Sequence, residues 1–210
     1  MKVLVACEES QRVCTAFRKR GHEAYSCDIL EPSGGHPEWH ILGDCLKILS
    51  GGVVFVTMDG TEHEVDRWDL IIAFPPCTYT SNAGACHLFK GKRLNLQRFY
   101  KGLCGKALFE TIRKADCEKI AVENPVPSKI YAYESPSQII QPYEFGHPVS
   151  KKTCLWLKGL EPLQPTNIVK PTQSCHDAHT WFSTGGKDRQ RKRSITFQGI
   201  ADAFAQQWGS

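Results

Sequence analysis

No window of the 210-residue chain reaches the roughly 18–20 consecutive apolar residues that a membrane helix needs. The opening residues, Met1-Lys2-Val3-Leu4-Val5, run straight into a strand-like stretch and carry no long apolar segment or small-residue cleavage site of a secretory signal. Internal repeats and low-complexity tracts are missing too. These absences predict a cytoplasmic protein with no membrane partner. A reducing cytosol disfavours disulfides, which leaves the 10 cysteines as core residues, metal ligands or nucleophiles. Disorder is not expected either, because charged residues at 23% and hydrophobic residues at 41% are ordinary globular values. The length suits one domain, residues 1–210. A net charge of +4 says little, but Lys187, Arg189, Arg191, Lys192 and Arg193 crowd together. Such a run is either a solvated loop or a set of phosphate contacts.

Strand and helix signals alternate through the first half. Lys2 to Ala6 is a short apolar run, and Gln11 to Lys19 spaces Val13, Ala16 and Phe17 on one helical face. Glu23 to Asp28 and Ile41 to Asp44 read as the next strands. Val53 to Thr57 and His63 to Val65, joined through Asp59-Gly60, predict a β-hairpin inserted near 52–66. Trp68 to Phe74 is strongly apolar and stops at Pro75-Pro76; Leu94 to Ala115 is helical, and Lys119 to Val122 is another apolar strand. Further strands are expected at Ser137 to Gln141 and Thr153 to Leu157, then a loop-rich segment near 159–193 and a closing helix from Gly199 to Trp208. This alternation predicts an α/β fold with a doubly wound, mostly parallel sheet. Ligands of such sheets sit at the carboxyl ends of the strands, where Glu8, Asp28, Asp44, Cys77 and Glu123 all fall.

Cys77 follows two prolines at the end of a buried strand, so a stiffened turn can hold its thiol toward a pocket. An inert core cysteine is the competing reading. Glu123-Asn124 marks a second strand end, which a parallel sheet can bring alongside; a surface carboxylate is the alternative there. Together, a thiolate and a neighbouring carboxylic acid are what alkylation of cytosine at C5 requires, since C6 accepts a nucleophile only when N3 is protonated or hydrogen-bonded.

The run DLIIAFPPCTYTSNAG, Asp69 to Gly84, resembles the catalytic motif of DNA cytosine-5 methyltransferases, with Thr78 where the family has Gln. Ala121-Val122-Glu123-Asn124 is similar to the family's Glu-Asn-Val motif, with Pro125 in place of Val, and Gly43-Asp44 to its Gly-Asp motif. FGHPVSKKTCLWL, Phe145 to Leu157, occupies the place of its Gly-x-Pro-Gln-x-Arg-x-Arg strand, with Val149, Lys151 and Thr153 replacing the Gln-Arg-Arg set. Gln198-Gly199-Ile200-Ala201 resembles the closing cofactor-side motif. The pieces stand in the family's order along nearly the whole chain. Small phage-encoded members lacking a target-recognition domain are especially similar.

The resemblance implies a Rossmann-like fold, S-adenosylmethionine as cofactor and DNA as partner. It implies Cys77 as nucleophile, Glu123 as the acid at N3 and Asn124 as an orienting residue. The cofactor would meet Ala6, Glu8, Glu9, Ser10, Asp28, Ile29, Asp44, Cys45, Phe74 and Pro75, with Glu8 or Glu9 at the methionine amino group. Asp28 is the natural acceptor for ribose hydroxyls, a turn-forming Asp being the other reading. DNA would meet Pro76, Thr78, Ser81, Lys151, Lys152, Arg191, Lys192 and Arg193.

Two departures matter. The family's glycine-rich turn after the first strand is replaced by Cys7-Glu8-Glu9-Ser10-Gln11, so the cofactor should sit differently. The recognition domain of about a hundred residues is reduced to a short loop segment, which predicts short or relaxed sequence specificity. RNA, a nucleotide or an exocyclic amine remains open as acceptor, as does a catalytically weak phage binding or decoy protein. Cys175, His176 and His179, with Cys154, fit no strong zinc spacing, so no metal is expected.

Overall fold

In a computed structural model, residues 1–174 and 194–209 are described. In chain order the elements are β1 (Lys2–Ala6), α1 (Arg12–Lys19), β2 (Glu23–Asp28), β3 (His40–Leu42), β4 (Val53–Val56), β5 (Glu62–Val65), β6 (Leu70–Ala73), α2 (Asn82–Ala85), β7 (Phe89–Lys90) and β8 (Arg93–Leu94). There follow α3 (Leu96–Arg113), β9 (Ile120–Pro125), β10 (Gln138–Ile140), β11 (Val149–Ser150), β12 (Thr153–Lys158), β13 (Gln173–Ser174) and α4 (Gln198–Trp208).

Seven strands form one sheet in the order β10-β12-β9-β6-β1-β2-β3. β1, β2, β3, β6 and β9 pair in parallel, and β12 runs antiparallel to both of its neighbours. This is the Rossmann-like, doubly wound, mostly parallel sheet that the alternation of strands and helices predicts. The period of two along each strand divides its core. Val3, Val5, Leu70 and Ile72 point to one face, where α1 and α4 cover them with Phe17, Ile200, Phe204 and Trp208. Leu4, Ala6, Ile71 and Ala73 point to the other, against Phe109 and Ile112 of α3 and Phe55 of the β4–β5 hairpin.

Boundaries shift where specific bonds intervene. The helix expected from Leu94 begins at Leu96, because Phe89 pairs with Leu94 in a small hairpin and the Asn95 side chain accepts from the Arg98 N–H as the helix cap. Trp68 lies outside the ladder although its ring is buried; its indole N–H donates to the Ile48 carbonyl. Within the segment expected to be loop, Gln173 and Ser174 pair in parallel with Val149 and Ser150.

The chain leaves β1 for β2 and β3 on one side and later for β6 and β9 on the other. The switch point, between β1 and β6, is where a doubly wound sheet opens a crevice at its carboxyl edge. Phe74 N–H donates to the Ala6 carbonyl there, so the two strands separate just beyond that bond.

Candidate active site

β6 and β9 lie side by side with Ala73 opposite Val122, so Phe74, where β6 has ended, and Glu123, still paired with β12, come next on adjacent segments. Beyond them two loops are stitched to each other: Asn82 N–H donates to the Val126 carbonyl, Ser128 N–H to the Thr80 carbonyl, and Ser81 bridges to Pro127. Cys77 begins this loop in a tight turn, its carbonyl accepting from the N–H groups of Thr80 and Ser81. Cys77 is partly exposed, Pro75 is buried and Pro76 is exposed. Thus the thiol-bearing turn and the Glu123-Asn124 strand end, 46 residues apart in sequence, share one edge of the fold.

Glu123 pairs across the ladder with Leu155 of β12, and Asn124, buried, with Cys154. Burial raises the Glu123 carboxyl above its ordinary range, and the Lys151 ammonium partly opposes it. A raised carboxyl stays protonated nearer neutrality, the form that donates a hydrogen bond. Lys151 Nζ stands 5.9 Å from the Phe197 ring centroid. Phe74, Glu123, Lys151, Thr153, Phe197 and Ile200 line a cavity of about 20 Å³. That is room for about one water molecule, so a base entering there displaces side chains. Lys152, beside Lys151, is exposed.

On the other side of the crevice, Ala6, Asp28 and Asp44 end or follow three adjacent strands, tied by Gly43 N–H donating to the Asp28 carbonyl. Asp28 is partly buried and its carboxyl is raised by burial; its Oδ1 accepts from Leu30 N–H. Asp44 is exposed and accepts from Leu46 N–H. Ile29, 76% exposed, stands beside them with the exposed Leu30, Leu42 and Leu46. Behind lie three thiols. Cys7 and Cys45 have sulfurs 3.8 Å apart, and that contact raises the Cys7 thiol and lowers the Cys45 thiol. The Cys27 thiol, raised by burial, donates to the Gly43 carbonyl.

The turn that lacks glycine keeps glycine-like backbone. Cys7 and Gln11 have φ of 59° and 56°, left-handed values that ordinary residues adopt only under compensation. Gln11 is wholly buried; its amide donates to Ser26 Oγ and the His36 carbonyl and accepts from the His36 N–H. Ser26 in turn meets His40, whose other ring nitrogen meets the Leu30 carbonyl. Glu8 turns into the fold: its two oxygens accept from Val13 N–H at 2.7 Å and Cys14 N–H at 3.2 Å, capping α1, with Ser10 Oγ at 3.4 Å. The sequence puts Glu8 or Glu9 at a ligand amino group; of the two, Glu8 already has both oxygens accepting from the helix. Glu9, also buried, holds the next loop through its carbonyl, which accepts from Ser33 N–H.

Ser81 likewise has a local task, its hydroxyl accepting from Gly84 N–H at the start of α2. Gly84 cannot carry a Cβ, which would collide with the Thr78 carbonyl. Arg98 escaped the sequence reading: its Nη2 donates to the carbonyls of Thr78 and Gly84, and its guanidinium lies 4.9 Å from the Tyr79 ring centroid. The signal available was a lone arginine one turn into a helix, indistinguishable from a surface charge. Tyr133 was missed as well; its hydroxyl is raised by burial and within electrostatic reach of Cys77. Arg191, Lys192, Arg193, Cys175, His176 and His179 lie outside the described residues, among which no group of His, Cys, Asp and Glu is arranged to hold a metal. No described helix is long and apolar enough to cross a membrane. An open hollow among Met1, Glu23, Asp66 and Asp69 lies at the opposite end of the strands.

No family model matches the chain. No curated protein matches it either. Among solved structures it is similar to a prophage-encoded E. coli protein, itself a candidate DNA modification methyltransferase, with a TM-score of 0.48 and 12% identity. The match covers 81% of this chain and 52% of the other, so this chain spans about half the length of that protein. So distant a likeness carries no chemistry across.

Proposed function

We propose that this chain is an S-adenosylmethionine-dependent methyltransferase that modifies cytosine in DNA at C5, with Cys77 as nucleophile and Glu123 as the acid at N3. The observation that carries this reading is the stitched pair of loops, which puts the Cys77 turn and the Glu123 carboxyl at one edge of the sheet. The cofactor fits the other half of the crevice: Asp28 and Asp44 offer carboxylates for hydroxyl and amine donors, and exposed Ile29 and Leu46 offer apolar surface for an adenine face. Bound there, it supplies an electrophilic methyl group to C5.

The Cys77 thiolate adds to C6 of an extruded cytosine. Glu123, held toward its protonated form by burial, donates to N3 and takes up the negative charge developing on the ring. The Lys151 ammonium acts electrostatically on the same carboxyl, at the place where the family uses arginine. After methyl transfer the C5 proton leaves, the C6–sulfur bond breaks and Cys77 is regenerated. Asn124, buried between β9 and β12, orients the strand end. The short loop segment supports brief or relaxed sequence specificity.

Nucleoside mass spectrometry of DNA from cells expressing the protein should show 5-methylcytosine. Cys77→Ser should abolish both it and the covalent adduct with a 5-fluorocytosine oligonucleotide. Substantial methylation by the variant sinks the assignment and points to an exocyclic amine, which needs no thiol. The inward-turned Glu8 favours a second reading, a catalytically weak binding protein. Calorimetric titration with S-adenosylmethionine separates the two, since that reading expects no binding heat.

A further inference from the structure

Between Leu70 and Phe109 the chain carries six Lys and Arg residues and no Asp or Glu, although its net charge is only +4. The remainder of the chain therefore sums to a net negative charge even with the Lys187–Arg193 run, and the Leu70–Phe109 stretch, which includes the Cys77 turn, is a second concentration of positive charge. Two of the six have structural tasks: Arg98 closes the Cys77 loop, and Lys106 donates to the Ala132 carbonyl. The other four are exposed. Lys90, Lys92 and Arg93 sit on the β7–β8 hairpin, whose tight turn uses Gly91 at φ 60°. Lys101 follows on α3, 5.6 Å from the Tyr79 ring centroid. Among the described residues, no carboxylate stands within ion-pair distance of any of the four.

Large apolar side chains are exposed among these cations. Phe89 on the hairpin is 50% exposed, and Leu96, Tyr100 and Leu103 form an i, i+4, i+7 stripe on α3 at 72%, 67% and 44%. The first turns of α3 pack through Phe99 and Gly102 against Tyr131, and the Leu96, Tyr100 and Leu103 stripe is left facing solvent. Cations interleaved with solvent-facing aromatic rings are what a strand with unpaired bases requires: charge follows the phosphates and rings stack on bases of any sequence. A paired duplex hides the faces of its bases and has no use for the rings.

We propose that the β7–β8 hairpin and the first turns of α3 form a docking surface for single-stranded DNA, and that unpaired DNA is the preferred substrate. This rests on the reading of Cys77 as a DNA-modifying nucleophile. The hairpin and helix lead to the reactive turn through Arg98 and Tyr79, so a strand lying on Lys90, Lys92, Arg93 and Lys101 delivers an unpaired base to Cys77 without breaking a duplex. Phosphate contacts supply the affinity that a recognition domain would otherwise give, at the expense of sequence readout.

Fluorescence anisotropy of the full chain with a labelled oligonucleotide, single-stranded and as its duplex, tests this without relying on catalysis. Single strands should bind at least tenfold more tightly. Lys90→Gln/Lys92→Gln/Arg93→Gln should weaken binding and flatten the dependence of log K on log salt by about 2, roughly 0.7 for each lost phosphate contact. Tyr100→Ala should weaken single-strand binding by roughly 5- to 100-fold, the range of one base stack, and leave duplex binding unchanged. Equal affinity for the two forms, or a triple variant with unaltered affinity and salt slope, overturns the proposal. Loss of binding by a variant counts only if its circular dichroism and melting match the wild type; Lys90→Arg/Lys92→Arg, which keeps the charge, should bind normally and guards against misfolding. Self-association through the apolar stripe, seen as a dimer that Tyr100→Ala dissolves while DNA binding is untouched, would also overturn it. Binding as expected with no methyl transfer to either form would leave this surface standing and remove the proposed activity.

Discussion

Replacing Glu8 with Gln asks whether this acid belongs to the fold. Burial raises its carboxyl from 4.5 to about 7, although the N–H groups of Val13 and Cys14 and the Ser10 hydroxyl pull it back. Between those values the unfolded chain has released the proton and the folded chain still holds it. The folded state therefore binds more protons, and its stability falls as pH rises from about 4.5 to about 7, then levels off. At about 1.36 kcal/mol per pKa unit, the rise corresponds to roughly 3 kcal/mol lost across that window. Glutamine does not titrate. Its amide puts an N–H where an oxygen accepted from α1, which leaves one helix donor unmet at a cost of about 1–3 kcal/mol. Urea unfolding of both proteins at half-unit steps from pH 4.5 to 8 gives the stability difference directly. Contributions common to both, such as His22, His40 and His147 lowered by burial, cancel. The advantage of wild type over variant should shrink by roughly 3 kcal/mol between pH 4.5 and 7. A difference that stays flat, or grows with pH, would refute the account of Glu8 as a buried helix cap.

Arg98→Met should free the Cys77 loop by removing both bonds to the Thr78 and Gly84 carbonyls, a loss of roughly 1–3 kcal/mol in local stability. Methyl transfer should slow at least tenfold with unchanged circular dichroism, and proteolysis within residues 77–87 should accelerate; equal rates would show that the loop holds itself. Gly199→Ala would drive a Cβ into the Phe145 carbonyl and away from the bond in which Gly199 N–H donates to His147 Nε2. Its melting temperature should drop by several degrees at least, as calorimetry would register, and an unchanged value would mean that α4 shifts freely. Asp28→Asn should weaken S-adenosylmethionine binding about tenfold by calorimetric titration, with little loss of stability; unchanged affinity would remove Asp28 from the cofactor site.

The strands were legible because their signals are local: the apolar runs at Lys2–Ala6 and Leu70–Ala73, and Asp59-Gly60 in a hairpin, act within a few residues. The order of the site motifs was legible too, since carboxyl ends of parallel strands collect on one edge whatever the strand order. Tertiary structure alone decided which strands are neighbours, that β12 runs against the rest, and that the Cys77 and Glu123 loops are joined by bonds between residues some 44 to 48 apart. It also decided individual assignments. Glu8 has the same composition and position as a ligand-binding acid, yet two amide groups of α1 claim its oxygens. Arg98 reads as a surface charge until the chain closes and two carbonyls meet its guanidinium. Local pattern thus determined where the elements and the motif residues fall. Which donor meets which acceptor depends on contacts distant in sequence, and those exist only once the sheet has assembled.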